Sequence, residues 1–443
     1  MLLQTNTPVP KDIPLELPLP EWLLVTLLIV SFLLHIIFIN LMVGGSIVTL
    51  WAQIKGLKNK EYDIFAQEIA NTITVNKSLA VVLGVAPLLS INTLYTVYFY
   101  SANALTGFAW IMIIPLVTIA FLLTYLHKYT WESLEHNKKV HICIIALSVA
   151  IFLFIPLIFL TNVNLMMFPE KWGTVQGFLS ALILPNVFPR YFEFLGTCLT
   201  LTGIFIIWYN NRSTYPVENI YPTFTRYDLK KIGYSIASIG LILQIFFGLI
   251  VLFTLPSKGI SYLLIAVMAG AGLLLAIALF YSYQSLISDK KNIDAHFKKI
   301  VFSVLAFMIF YGSSRQMYRH NSLEKHQKLM EAHTAEFQKL SKEARENPVK
   351  ETVELDIDPS LGDVAKGAAI FNQYCAACHK NNEKLVGPPV TEMVSIYANN
   401  ETGLINWIKA PGKKRPDYPQ MPGFPQIPDE DLKELSKYIL SIK

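Results

Sequence analysis

The chain has 443 residues, of which 53% are hydrophobic and 16% charged. That balance excludes an ordinary soluble enzyme and points to a membrane protein. A formal net charge of +5 makes no case for nucleic-acid binding, because in a membrane protein the informative quantity is where the positive charges lie.

Residues 1–20 are polar and proline-rich, without the basic start and small-residue cleavage site of a secretory leader. Eight apolar segments follow, each long enough to cross a bilayer: 22–50, 74–100, 107–127, 140–162, 190–210, 232–254, 260–285 and 298–314. The expected fold is all-α, with an eight-helix transmembrane bundle over residues 1–316 and the lipid bilayer as its surroundings. Connections after the odd-numbered segments carry Lys55, Lys58, Lys60, then Lys128, Lys138, Lys139, then Arg212, Arg226, Lys230, Lys231, and finally Lys290, Lys291, Lys298 and Lys299. The even-numbered connections offer only Lys171, Arg190 and Lys258. Positive charge therefore marks the odd loops as cytoplasmic and places both termini outside.

An ionisable residue within a span is costly and marks a functional site by default. His35 lies midway along the first segment, in Phe32-Leu33-Leu34-His35-Ile36-Ile37-Phe38. It is a candidate ligand for haem b, against the plainer alternative of an imidazole hydrogen-bonded to a neighbouring helix. His127 and His141 end the third segment and begin the fourth, where they read as interfacial side chains rather than a ligand pair. Arg190 and Glu193 open the fifth segment three residues apart, hence on one helix face. They could form an ion pair, or Arg190 could hold a haem propionate. Arg315, Met317 and Arg319 close the eighth segment in a similar position. His136, His320, His326 and His333 sit in charged stretches and read as surface, while Cys143 and Cys198 sit in apolar runs and read as small core residues.

From Tyr318 to Asn347 the chain turns charged and helix-prone, with Leu323, Met330, Phe337 and Leu340 near helical spacing. A helix there would be a stalk of roughly 45 Å at about 1.5 Å per residue. Pro348 ends it, and Glu351 to Asp363 reads as an acidic linker, so that residues 317–358 join the bundle to a last domain at 359–443.

That domain contains Cys375-Ala376-Ala377-Cys378-His379. Cys-x-x-Cys-His is the attachment pattern of a c-type haem: both thiols must reach one porphyrin edge while the imidazole swings beneath the iron. A thioredoxin-like redox motif and half a zinc site are the alternatives, but no second Cys or His pair follows His379. Gly387-Pro388-Pro389 follows instead, and later Gln420-Met421-Pro422-Gly423. A thioether is a soft sixth ligand that raises the potential of a haem iron, and prolines make a stiff mount for Met421.

Residues 361–443 resemble a class I cytochrome c, with Lys366-Gly367 and Phe371 ahead of the motif and a last helix from Asp429 to Ile442. The resemblance implies that the helix bearing Gly367 packs on that last helix. It further implies one covalent haem c on Cys375 and Cys378, His379 and Met421 as axial ligands, and the Pro388 carbonyl accepting a bond from the proximal imidazole.

The first 210 or so residues are similar to subunit I of the cytochrome bd oxidase superfamily, carried by His35 with Asn40-Leu41-Met42-Val43-Gly44-Gly45-Ser46, by Tyr129-Thr130-Trp131-Glu132 through Lys139-Val140-His141-Ile142-Cys143, and by Asn164-Leu165-Met166-Met167-Phe168-Pro169. Members with a fused cytochrome c domain share the whole architecture. The resemblance puts His35 in the place of a haem ligand. The departures are that the third helix has no glutamate, Pro256-Ser257-Lys258-Gly259 is too short for a quinol-binding loop, the glycine-arginine-tryptophan signature is absent, and Arg190 and Glu193 stand near where a histidine is expected. They weigh against oxygen reduction and a second haem b.

The chain therefore reads as a membrane-bound c-type cytochrome of the bacterial inner membrane. Electrons would come from quinol or a membrane redox partner, through a haem b near His35 to the periplasmic haem c, and on to a periplasmic partner protein. The alternatives are a bd-like terminal oxidase or quinol:cytochrome c oxidoreductase subunit, and a haem c domain on a purely structural anchor.

Overall fold

The computed structural model describes residues 17–346, 362–413 and 418–442. Residues 1–16, Pro348 and nearly all of the acidic linker lie outside the described residues. The chain forms two compact units, Met1–Thr334 and Ala335–Lys443. Every regular element among the described residues is helical.

The first unit contains α1 (Glu21–Gly56), α2 (Lys60–Leu94), α3 (Thr96–Thr106), α4 (Phe108–Ile111), α5 (Ile113–Tyr129), α6 (Lys138–Leu165), α7 (Phe178–Leu182), α8 (Val187–Asn211), α9 (Val217–Ile220), α10 (Arg226–Thr254) and α11 (Tyr262–Ile287), with α12 (Phe297–Glu346) running past its end. Seven helices are long and apolar enough to cross a membrane, or eight if the bent pair Leu79–Leu94 and Thr96–Thr106 counts as one span. Large apolar side chains remain exposed along these helices, among them Val82, Phe108, Ile114, Phe253, Leu263 and Phe302, as expected where lipid covers them.

Small residues set the closest helix approaches. A Cβ on Gly44 of α1 would lie 2.3 Å from the Cys198 carbonyl of α8, and one on Gly240 of α10 would lie 2.5 Å from the Thr200 nitrogen. The loop between α8 and α10 is fixed by Arg226, whose guanidinium donates to the carbonyls of Asn210 (3.1 Å) and Arg212 (2.9 Å). Thr225 and Asp228 form a capping box that starts α10.

The sequence reads residues 74–100 as one apolar segment long enough to span. In the structure the path bends by 110° between Leu79–Leu94 and Thr96–Thr106. Tyr95, at φ −128° and ψ 37°, interrupts the helix. It is buried, its hydroxyl accepts from Gln316 Nε2 of α12 at 2.7 Å, and α3 is then held to α6 by Asn162 Nδ2 donating to Asn103 Oδ1 at 2.6 Å. A distant partner has overridden local hydropathy.

The second unit has α13 (Asp363–Tyr374), α14 (Val390–Tyr397), α15 (Glu401–Lys409) and α16 (Asp429–Ser441). Ile370, Phe371, Val390, Leu404, Leu432 and Leu435 make its core. Gly367 lets α13 cross α16, since a Cβ there would lie 2.1 Å from the Glu434 carbonyl oxygen. Phe371 packs on Tyr438 with ring centroids 5.5 Å apart.

Candidate functional sites in the two units

In the C-terminal unit, α13 delivers the chain straight into the Cys-x-x-Cys-His turn. The N–H of Cys375 donates to Phe371 O (2.8 Å), and the N–H groups of Cys378 and His379 donate to Cys375 O at 3.0 and 2.9 Å. Cys375 is buried, Cys378 is half-buried, and both are free thiols. Burial pushes the Cys375 thiol up to about 11, with a smaller contribution from Cys378.

His379 is buried, and its Nδ1–H donates to the Pro388 carbonyl at 2.8 Å. A carbonyl can only accept, so the proton sits on Nδ1 and Nε2 keeps its lone pair, the form an iron ligand requires. The loop is closed by Gly387 N–H donating to Cys378 O at 2.9 Å. Met421 is half-buried in the segment before α16, where Phe424 N–H donates to Ile408 O at 2.9 Å. Two free thiols beside an imidazole with one nitrogen committed and one bare fit a covalently attached haem.

The family model for cytochrome c matches residues 364–443. This segment is a cytochrome c domain. A cytochrome c domain implies haem c and electron transfer. Over 79 residues the chain is 28% identical to cytochrome c6 of Cyanidioschyzon merolae, which covers 18% of this chain and 74% of that protein. The bd oxidase structure from Geobacillus thermodenitrificans is similar in fold, with a TM-score of 0.52 and 15% identity over 68% of this chain and 88% of that one. A share that large exceeds the cytochrome c domain, so the membrane helices carry it. The protein thus joins a helical membrane unit, similar in fold to that structure, to a cytochrome c domain.

In the membrane unit, His35 of α1 is half-buried against α2. Among the described residues its buried Nδ1 has no partner, and its hydrogen-bonding contact is the backbone of Ala80. The ring occupies the space over Gly84, where a Cβ would lie 2.7 Å from His35 Cε1. An orphaned ring nitrogen over a glycine cradle fits a haem ligand. A narrow gap further along α1, lined by Leu41, Gly45, Ile69, Thr202 and Phe205, does not include His35.

Arg190 and Glu193 do not form the ion pair that their spacing allows. Glu193 accepts a short hydrogen bond from the Tyr311 hydroxyl of α12, whereas Arg190 lies over the Tyr318 ring at 5.8 Å. Three further expectations are corrected. His127 and His141 are fully buried and stacked, with ring centroids 4.0 Å apart. Gln53 joins them, contacting His141 Nδ1 at 2.7 Å and His127 Nε2 at 3.0 Å. His326 is half-buried beside Trp172 and contacts the Tyr98 hydroxyl at 3.0 Å, because α12 is still packed on the bundle at that point. Cys143 is exposed on α6, while Cys198 is buried. An apolar run does not say which of its faces meets lipid.

Proposed function

We propose that this protein is an electron-transfer cytochrome of a bacterial inner membrane. It takes electrons from quinol or a membrane redox partner and delivers them to a periplasmic protein. The membrane division is residues 1–316, the stalk and linker 317–358 and the cytochrome c domain 359–443, with the lysine-rich connections cytoplasmic.

A haem supplies a one-electron couple when bound. Cys375 and Cys378 would anchor haem c, His379 and Met421 would ligate its iron, and Pro388 would fix the imidazole that faces it. His35 would ligate a haem b, and Arg190 would offer a cation to a propionate. The observation that carries the haem c assignment is the 2.8 Å bond from His379 Nδ1 to the Pro388 carbonyl, which leaves Nε2 bare. For haem b it is the buried Nδ1 of His35, which has no partner among the described residues.

The likeness of fold to a bd oxidase favours a second reading, a bd-like terminal oxidase or quinol:cytochrome c oxidoreductase subunit with its own substrate site. The absence of glutamate from 107–127 and the short connection 256–259 weigh against it. A pyridine haemochrome spectrum of the purified protein tests the proposal. One or more haem b per haem c is the expected result. Haem c alone would reduce the helices to an anchor, and no covalent haem would overturn the proposal.

A further inference from the structure

Three arginines gather inside the bundle with one acidic neighbour. Arg190 of α8 and Arg319 of α12 are only 9% and 8% exposed, and Arg315 of α12 is half-buried. A guanidinium does not shed its proton in a protein, so burial must be offset by an anion or by hydrogen bonds. The fields of Arg190 and Arg315 both act on Glu193, yet the Glu193 carboxylate is engaged by the Tyr311 hydroxyl. Among the described residues, no carboxylate comes within 4.0 Å of any of the three guanidinium groups. They lie over rings instead: Arg190 over Tyr318 at 5.8 Å, Arg315 over Phe32 at 5.2 Å and Arg319 over Tyr95 at 5.3 Å. Arg319 Nη1 donates to Gln316 Oε1 at 2.7 Å, the Tyr95 hydroxyl is a further hydrogen-bond partner, and among the described residues its buried Nε has none.

Three guanidinium groups beside the one carboxyl of Glu193 leave at least two positive charges unmatched. A ligand carrying two carboxylates would balance them. The location narrows the choice, because Phe32, which Arg315 covers, precedes His35 by three residues on α1, about one turn at ~1.5 Å per residue. Leu33 meets Gly312, the neighbour of Tyr311, so α1 and α12 touch at that level.

We propose that Arg190, Arg315 and Arg319 form the anion site that holds both propionate carboxylates of the haem at His35. The proposal rests on the haem b reading and adds Arg315 and Arg319 to the candidate of the sequence. Tyr311 and Gln316 act as positioning residues: the first keeps Glu193 occupied, and the second orients Arg319 by the 2.7 Å bond.

The test uses the full chain carrying R319Q, R315Q/R319Q or R319K, with the covalent haem c per chain as the folding control. Three quantities are read: the haem b to haem c ratio, the haem b midpoint potential and the phosphorus content of the purified protein. In R315Q/R319Q the ratio is expected to fall about threefold or more, as loss of charge-assisted contacts requires. Any haem b retained should titrate at a lower potential, since a nearby cation favours the electron-richer iron, and R319K should restore most of both. If the double variant loses haem c as well, R319Q decides by the same readouts. An unchanged ratio and potential would overturn this site while leaving the haem b reading intact. Loss of bound phosphorus with haem b unaltered would overturn it in favour of a lipid headgroup. Haem c alone in the unaltered protein would instead overturn the haem b reading, and this site with it.

Discussion

Gly387 lies flat against the imidazole of His379: a Cβ on Gly387 would sit 2.2 Å from His379 Cε1. The glycine cannot retreat, because its N–H is bonded to Cys378 O at 2.9 Å. Gly387→Ala must therefore push the ring off the Pro388 carbonyl or break the loop. Overpacking of this kind costs about 1–3 kcal/mol. The expected outcome is a clear loss of covalent haem c, or a changed haem c spectrum in what remains, measured by haem staining and absorbance. Full incorporation with an unaltered spectrum would remove His379 from the ligand role.

Met421→His probes the other axial position. Imidazole in place of thioether should lower the haem c midpoint potential by a sizeable part of the ~0.8 V that axial ligands span. Potentiometric titration of the purified protein reads the shift. No change would mean that Met421 does not reach the iron.

His35→Ala separates the two haem sites. Non-covalent haem should disappear while haem c stays at its normal content per chain, because Cys375, Cys378 and His379 lie in the other compact unit. The haemochrome ratio measures this directly. Retention of all haem b would make His35 a structural histidine, satisfied by the Ala80 backbone.

Acid should loosen the cytochrome c domain through two carboxylates. A hydrogen bond and charge from Lys437 hold Asp363 below its usual value, and Lys409 does the same for Asp429. The Asp363–Lys437 pair, 2.8 Å apart, ties the start of α13 to α16. Because the folded values lie below the unfolded carboxylate value of about 3.9, the stabilisation is present above that pH and is lost as pH falls through the folded values. Lys437 is raised by the same bond, so its share is present below the unfolded lysine value and is lost as pH rises through the folded one. Asp363→Asn should therefore lower Tm slightly at neutral pH, since both partners are exposed. The gap to the unaltered protein should close on acidification. A gap that persists in acid would mean that the substitution acts through packing instead.

The sequence by itself determined what is local or compositional. Cys375, Cys378 and His379 are read from one turn of chain, and Gly367 with Phe371 from one helix face, because a covalent haem motif and a close helix crossing depend on spacing alone. The apolar segments were legible for the same reason, since the bilayer imposes a length. What faces what inside the bundle was decided only in three dimensions. Lipid and protein interior are equally apolar, so hydropathy cannot distinguish exposed Cys143 from buried Cys198. The bend at Tyr95 depends on Gln316, 221 residues away. The stack of His127 on His141 is joined by Gln53, which is 74 residues from the first and 88 from the second. Arg190 meets Arg315 and Arg319 only because α8 and α12 pack side by side, and burying charge there is tolerable only in a fold that brings its partners from distant parts of the chain.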